Sequence, residues 1–580
     1  MIILPYPKEI EELEGKLKYT AFNTECDDAE VKALFKDFSD ANADCTIKLS
    51  KDLSLAEEEY KLEIGESGIS IEYSKPVGAY RALTTLKLII SQSENSEIGF
   101  VKIHDYPSLK NRGYMLDISR GRIASLSHIK KIVDMMAELK YNQLQLYMES
   151  IVYEYKNFPQ YWKDTKPLTQ AEIREIDKYC AERFISLVPN QNGFGHMGAW
   201  TEKEELSHLA ITGNDGKPSA TLNPLKEESL ELVDKIYDGY FDAFSSDIVN
   251  IGMDEPNELG LNETKEECDK RGVGAVFTDY LKKVCNLISN KYKKTPMFWD
   301  DIVFLHPEQL DNLPKEAVLM HWGYEAPHRF DRNCSMIKER GLKFYVCPGT
   351  SMWQSFTGRT NNAIANMRSA AAAAESYGAE GFLLTEWGDF GHPQMPAVTY
   401  FPFVYGAAIS WTPGHIADYT LMDLIKGYMD KYIYKTENDK SLADIVCRMG
   451  NFYLLEEHLK GNTTETFYYM LMSEYIHTTD SLKVTERKKE GFRRVYKYMT
   501  EIREELNAVN ADADMLEDII FSCDLVIFIS RLMCGIHDGI EEEKNDIINR
   551  YKALWVKTSH DIGQDIFINL LEKAFENYTK

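Results

Sequence analysis

Between Arg112 and about residue 415 the chain alternates short apolar runs with longer stretches of helical periodicity. Eight runs read as strands: Tyr114–Ile118, Gln143–Met148, Ser186–Asn190, Ile248–Met253, Pro296–Trp299, Ala317–His321, Lys343–Cys347 and Gly381–Thr385. Segments such as Ile129–Leu139, Leu230–Tyr240 and Phe277–Ile288 place apolar residues three and four apart and predict helices between them. Eight such units in roughly 300 residues predict an α/β fold of the (β/α)8 TIM-barrel type. An open doubly wound sheet is the main rival. It usually carries a Gly-rich phosphate turn after its first strand, and none is present.

The flanks have a different texture. Before the barrel, Tyr60–Ile64 and Gly68–Tyr73 alternate polar and apolar residues as half-buried strands do. A helical run, Ala79–Ile90, follows them, and His104–Pro107 reads as a linker. A small α+β domain over 1–107 thus precedes a catalytic barrel over 108–415. From 416 to 580 helical periodicity dominates, in Leu421–Tyr432, Asn451–Leu459, Phe492–Leu506 and Asp514–Ile529, and predicts an α-helical C-terminal domain. The five alanines Ala370–Ala374 suit a barrel helix.

Composition narrows the function. A chain of 580 residues is too long for one core. With 44% hydrophobic and 27% charged residues it has an ordinary globular balance. A formal net charge of −26 argues against nucleic acid or an anionic membrane as partner. No apolar run is long enough to predict a transmembrane helix. The opening MIILPYPKEIEELEGK lacks the basic start of a signal peptide. The ten cysteines show no C-x-x-C or zinc-ligand spacing. They read as reduced, buried thiols, so a cytoplasmic location is expected, with no metal and no cofactor.

In a barrel of this kind the active site lies where the strands end. The eight runs lead into Asp117 and Arg120, Glu149, Asn190 to His196, Asp254-Glu255, Trp299-Asp300-Asp301, His321-Trp322, Gly349 to Trp353, and Glu386 to Asp389. Carboxylates and indoles in one mouth suit a sugar: aromatic faces cover the C–H patches of a pyranose, and carboxylates accept from its hydroxyls. Four of the eight tryptophans, Trp299, Trp322, Trp353 and Trp387, fall at these ends. Each taken singly fits core packing equally well.

The run Ile248–Pro256 drives a strand into two adjacent acids. Neighbours on a strand face opposite ways, so Asp254 and Glu255 share a site only if the chain leaves strand geometry there. Pro256 predicts an extended backbone for Glu255. Two close carboxyls push one pKa up, as a general acid needs. An acidic pair opening the next helix is the structural alternative.

These residues bear a family resemblance. Over roughly 60–410 the chain resembles glycoside hydrolase family 20, the β-N-acetylhexosaminidases. Arg112-Gly113-Tyr114-Met115-Leu116-Asp117-Ile118-Ser119-Arg120 is similar to the family's R-G-x-x-x-D-x-x-R first strand. Asp134–Asn142 is similar to its next helix, and Gly252-Met253-Asp254-Glu255 to its G-x-D-E signature. The resemblance implies Glu255 as acid/base and Asp254 as the carboxylate orienting the substrate's 2-acetamido group. That group, not a protein residue, is then the nucleophile, an exception to the two-carboxylate scheme of most glycosidases. The resemblance further implies His196 as support for Glu255 and Arg112 as the arginine on the C3 and C4 hydroxyls. Trp299 and Trp387 match pocket walls, and Asp389 matches an acid on the outer hydroxyls.

Two places depart from the family pattern. Tyr147-Met148-Glu149-Ser150 stands where His-x-x-Asp-Asp is usual, which makes Glu149 a candidate substrate contact. Tyr345–Trp353 lacks the usual Tyr-x-Asp, leaving Tyr345 and Tyr324 as candidates for the acetyl-binding hydroxyl. The helical domain is expected in the pocket rim or in a homodimer interface. The expected partner is an oligosaccharide or glycoconjugate ending in β-linked GlcNAc or GalNAc. Competing readings are a sugar-binding barrel without activity, a metal-dependent hydrolase using Asp254, Asp300, Asp301, His196 and His321, and a family 84-type hexosaminidase. The last would present two adjacent aspartates.

Overall fold

The computed structural model describes all 580 residues. Six strands form the N-terminal sheet: β1 (Glu9–Lys18), β2 (Phe22–Glu25), β3 (Cys45–Lys51), β4 (Tyr60–Gly65), β5 (Gly68–Tyr73) and β6 (Glu97–Asp105). Their order is β1-β6-β4-β5-β3-β2, antiparallel from β1 to β5 and parallel beyond. Helix Pro76–Ile90 packs across β4 and β5. Strand β1 carries almost no buried side chain. Its glutamates and lysines suit an edge, where charge discourages pairing with another chain.

The barrel follows. Its strands are β7 (Asn111–Asp117), β8 (Gln143–Met148) and β9 (Ser186–Gln191), and then, after a small hairpin of β10 (Ala210–Thr212) and β11 (Pro218–Leu222), β12 (Ile248–Asn250), β13 (Thr295–Trp299), β14 (Val318–Trp322), β15 (Lys343–Cys347) and β16 (Gly381–Glu386). The eight barrel strands are parallel, and β16 pairs with β7 to close the ring. All eight apolar runs became strands. The fourth is shorter than its pattern: β12 stops at Asn250, although the Ile251 N–H and the Gly252 carbonyl still bond β13 at 2.9 Å. Inside the barrel a polar ladder spans the floor. Asn190 and Asn250 both donate to Gln145 Oε1, Gln145 donates to Gln143, and Gln143 donates to the Tyr345 hydroxyl.

The expected linker at 104–107 is largely structural. Strand β6 runs through His104 to Asp105, and Asp105 is fully buried. Its carboxylate accepts from Lys140 Nζ at 2.7 Å, from the Tyr60 hydroxyl at 2.8 Å and from Trp411 Nε1 at 2.9 Å. A buried carboxylate needs such partners, and these come from both sides of the domain boundary.

The C-terminal region is helical, but its helices share one continuous core with the outside of the barrel. Phe356 and Phe467 lie 5.1 Å apart, and the Arg122 guanidinium sits 4.3 Å above the Trp555 ring. The expected helix at Asn451–Leu459 is absent; only a 3-10 turn, Phe452–Leu455, forms there. The buried Glu456 carboxylate accepts the backbone N–H groups of Glu465 and Thr466, both at 2.7 Å. That bond pattern caps helix Glu465–Leu471 and folds 457–464 into a loop against the barrel. No helix is long and apolar enough to cross a membrane.

Candidate active site

The site is built where β12 ends. Asn250 Oδ1 accepts the Gly252 N–H at 3.0 Å, an Asx turn that takes the chain out of the sheet. Gly252, Met253 and Glu255 then adopt φ of 69°, 80° and 46°. Leaving strand geometry lets Asp254 and Glu255 both face the barrel mouth. Gly252 is required by space as well as by φ, since a Cβ there would lie 1.8 Å from Asn192 Oδ1. A Cβ on Gly195 would lie 1.9 Å from the Asp254 carbonyl. The Gly193–His196 turn can therefore press against the acidic pair only with glycine at 195.

Glu255 is thus left-handed, not extended as Pro256 predicted. Two bonds hold it there: its N–H donates to Asp301 Oδ2 at 3.1 Å, and its carbonyl accepts from Asn257 at 2.7 Å. A non-glycine residue in this region costs about 1–3 kcal/mol, and such strain concentrates at functional sites.

His196 joins the carboxylates. Its Nδ1 is 3.2 Å from Glu149, and its Nε2 is 3.3 Å from both Asp254 and Glu255. Burial alone would lower its pKa, but the Asp254 charge and the bonds to Asp254, Glu149 and Glu255 outweigh burial and push it up to about 12. It is an imidazolium with both nitrogens donating. Glu149 resists burial in turn, and Arg120 and His196 hold it at about 2. The bond to His196 also holds Glu255 below the ordinary range. The acid pushed upward is Asp301, raised to about 8 by burial and by the charge of Asp254. Glu255 is thus held low by the cationic histidine, and burial raises Asp301 and its neighbour Asp300 behind the next strand.

Arg120 closes the other side. It bonds Asp117 and Glu149 at 2.9 Å and Asp389 at 3.3 Å, and lies about 5 Å from the Tyr147 and Trp387 ring centres. Trp299, Trp322, Trp353, Trp387 and Tyr324 wall a cleft of about 590 Å³, with His196, Asp254, Glu255, Asp301 and Asp389 among its lining. Trp299 and Trp387 stand 5.9 Å apart, and Trp322 stacks on Tyr324 at 5.1 Å. Asp254 is nearly buried, yet its Oδ1 has no partner, and the indole N–H groups of Trp299 and Trp387 have none either. Buried polar atoms are ordinarily satisfied, so these three are unspent hydrogen-bonding groups in the cleft wall.

Of the expected residues, Glu255, Asp254, His196, Trp299, Trp322, Trp353, Trp387 and Asp389 meet in this cleft. Three others do not touch it. Arg112 opens β7 and so lies at the opposite, N-terminal face. Its guanidinium is buried against Glu58 at 2.6 Å and the carbonyls of Leu109, Lys110 and Lys140. Tyr345 points into the barrel interior, where its hydroxyl meets Gln143 at 3.3 Å. Glu149 sits behind His196, bound by Tyr147 at 2.7 Å and by Arg120. Arg120, Asp301 and Asn462 line the cleft and were not assigned from sequence. Arg120 was legible: it is the second arginine of the motif, beyond the strand's C-terminal end. The residues of the metal-site alternative divide into two separate pairs, His321 with Asp300 and His196 with Asp254.

Comparison with known proteins places this geometry. Residues 110–382 match the model of the glycosyl hydrolase family 20 catalytic domain, and residues 1–106 match that of the same family's domain 2. The chain belongs to glycoside hydrolase family 20. Among relatives, the beta-hexosaminidase subunit beta of Entamoeba histolytica is 23% identical over 58% of this chain and 60% of its own length. The beta-hexosaminidase of Vibrio furnissii is 24% identical over 55% and 59%. The chain thus spans about 60% of the length of these curated relatives. Among solved structures, a Flavobacterium johnsoniae chitobiase superposes with a TM-score of 0.61 over 98% of both chains at 18% identity. A family 20 exo-β-N-acetylglucosaminidase from Vibrio harveyi, in complex with N-acetylglucosamine, gives 0.59 over 74% of this chain and 76% of its own at 19% identity. At these identities the structures establish the shared fold.

Proposed function

We propose that the chain is a retaining exo-β-N-acetylhexosaminidase acting on terminal β-linked GlcNAc or GalNAc. The observation that carries this reading is the pairing of Asp254 with Glu255 around His196, with Asp254 Oδ1 left free in an indole-walled cleft. A free, nearly buried carboxylate oxygen fits the N–H of a 2-acetamido group. Holding that N–H turns the acetamide oxygen toward C1 and stabilises the positive charge that grows as it attacks. The nucleophile is part of the substrate and arrives already positioned, which removes much of the entropic barrier. Glu255 is the proton donor to the leaving oxygen and then the base that activates water. In the open site its side chain is 47% exposed. A bound sugar covers it and desolvation raises its pKa, which favours the protonated acid. Arg120 and Asp389 supply a donor and an acceptor to neighbouring hydroxyls of the sugar. Tyr324 offers the hydroxyl for the acetyl oxygen. Hexosaminidases among the relatives, and the presence of both acids, favour hydrolysis over silent binding.

The test pairs aryl β-GlcNAc and β-GalNAc glycosides with a thiazoline mimic of the cyclised intermediate. Turnover with competitive, tight inhibition is expected. Glu255→Gln should lose most activity on poor leaving groups and less on activated ones. Absence of turnover of both substrates from pH 5 to 8 would refute the reading.

A further inference from the structure

One residue of the helical C-terminal region, Asn462, lines the cleft. It is fastened there from several sides. Its backbone is left-handed, with φ of 61°, and its N–H donates to Glu325 Oε1 at 2.7 Å. Glu325 in turn receives both ends of the buried Arg359 guanidinium, at 2.8 and 2.9 Å. Thr464 N and the Thr463 hydroxyl both donate to the Gln354 carbonyl at 3.0 Å. The Gln354 side chain donates to Asp389 at 2.8 Å.

The Asn462 side chain has one orientation, and both N–H donors of its amide are uncommitted. Its Oδ1 accepts from Trp353 Nε1 at 2.9 Å. Indole N–H only donates, so the carbonyl end must face the tryptophan and the amide end must turn away from it. That amide nitrogen makes no hydrogen bond within the protein. Asn462 therefore stands on the wall of Trp353, Gln354 and Asp389, with a fixed donor unspent.

Given the hexosaminidase reading, Asp254, Glu255 and His196 mark the C1–C2 end of the sugar, while Arg120 and Asp389 mark its hydroxyl end. We propose that the Asn462 amide donates to a ring hydroxyl at this outer end, so that the C-terminal helical region sets which C4 epimer the cleft prefers. Gluco and galacto sugars differ there in the direction of one hydroxyl. A donor held on a braced loop meets one direction and misses the other.

Two variants test this. Asn462→Gly keeps the left-handed backbone and the Glu325 bond but removes the amide. Asn462→Asp keeps an acceptor for Trp353 and exchanges the donor for a carboxylate. Measured for each are kcat and KM on nitrophenyl β-GlcNAc and β-GalNAc, binding of the two free sugars by tryptophan fluorescence, and thermal unfolding. Losing one hydrogen bond should raise KM for the preferred epimer and move the epimer ratio of kcat/KM by about fivefold in both variants, with kcat little changed. A merely structural role would lower both epimers together and leave the ratio alone. A ratio within about twofold of wild type in both variants overturns the assignment to Asn462, with the hydrolase reading intact. Wild-type protein that neither cleaves nor binds either sugar overturns the hydrolase reading and this inference with it.

Discussion

Arg112 and Arg120 belong to one sequence motif, yet one strand holds them at opposite faces of the barrel, and replacing each by lysine should separate their roles. Lysine keeps the charge and loses the planar fork. Arg112 meets three carbonyls and Glu58, with five contacts of 2.6–3.1 Å, and lies 4.7 Å from the Trp411 ring. An ammonium has three donors and cannot reach all four groups from one point. At least one buried carbonyl is left unpaired and the stacking is lost, which together cost about 2–3 kcal/mol. Spread over a cooperative unit of about 400 residues, that cost should lower Tm by about 2–4 °C in Arg112→Lys. Activity measured well below that Tm should stay within about twofold of wild type. Arg120 is partly open to the cleft and shared among Asp117, Glu149 and Asp389. A charge-assisted bond to substrate is worth about 1.5–3 kcal/mol, so Arg120→Lys should cut kcat/KM by about 10–100-fold. The assay is kcat/KM on an aryl β-GlcNAc glycoside beside a thermal melt. Loss of kcat/KM in Arg112→Lys at unchanged Tm, or full kcat/KM in Arg120→Lys, would refute the placement.

Asp301 holds a proton up to about pH 8 in the folded chain and releases it near pH 4 when unfolded, so the native state binds more protons between those values and stability falls as pH rises through them. Asp301→Asn should remove that slope, and calorimetry should show its Tm gaining on wild type from pH 5 to 8.5; parallel curves would contradict the shift. Glu149→Gln weakens the hold on His196 Nδ1 and Arg120, and should slow poor leaving groups by about 100-fold and activated ones far less; equal losses would detach Glu149 from the acid. Tyr324→Phe should lower kcat/KM by about tenfold through one lost hydrogen bond, whereas Tyr345→Phe should leave it near wild type. The reverse order would restore Tyr345 as the acetyl contact.

Much of the fold was legible because buried parallel strands leave compact apolar runs, as in Phe344–Cys347 or Phe382–Leu384. Strand β1 escaped notice because an edge strand carries charge instead of pattern. The stretch Asn451–Leu459 misled because its apolar residues pack in a turn, while Glu456 reaches onward to cap the next helix. In the cleft, residues directly behind strand ends were singled out by their position, and their roles rested on the family resemblance. Arg112 was misplaced through neglect of polarity along the strand: the first residues of a barrel strand face the floor, about 3.3 Å per residue from the mouth. Glu255's left-handed turn is a tertiary outcome, imposed by Asp301 some 46 residues away. Asn462 lies 73 residues beyond the last expected site residue, Asp389, on a loop whose approach to the barrel depends on the Glu325–Arg359 pair. No local signal marks such a contact.

The ions at the barrel floor have a consequence for how the molecule comes apart. Asp105 comes from the N-terminal sheet and Lys140 from the barrel; Glu58 precedes β4 and Arg112 opens β7. If the small domain swung away alone, Asp105, Lys140 and Arg112 would each lose a buried counter-ion, while Glu58 would keep Arg81, at about 3–5 kcal/mol for each pair broken. Opening along that boundary is thus dearer than its area implies, and sheet and barrel should melt in one transition with matched hydrogen-exchange protection. A barrel excised at residue 108 would expose an arginine and a lysine built for burial. The sheet and the barrel are electrically one part, and shuffling them singly between proteins would carry a stranded charge.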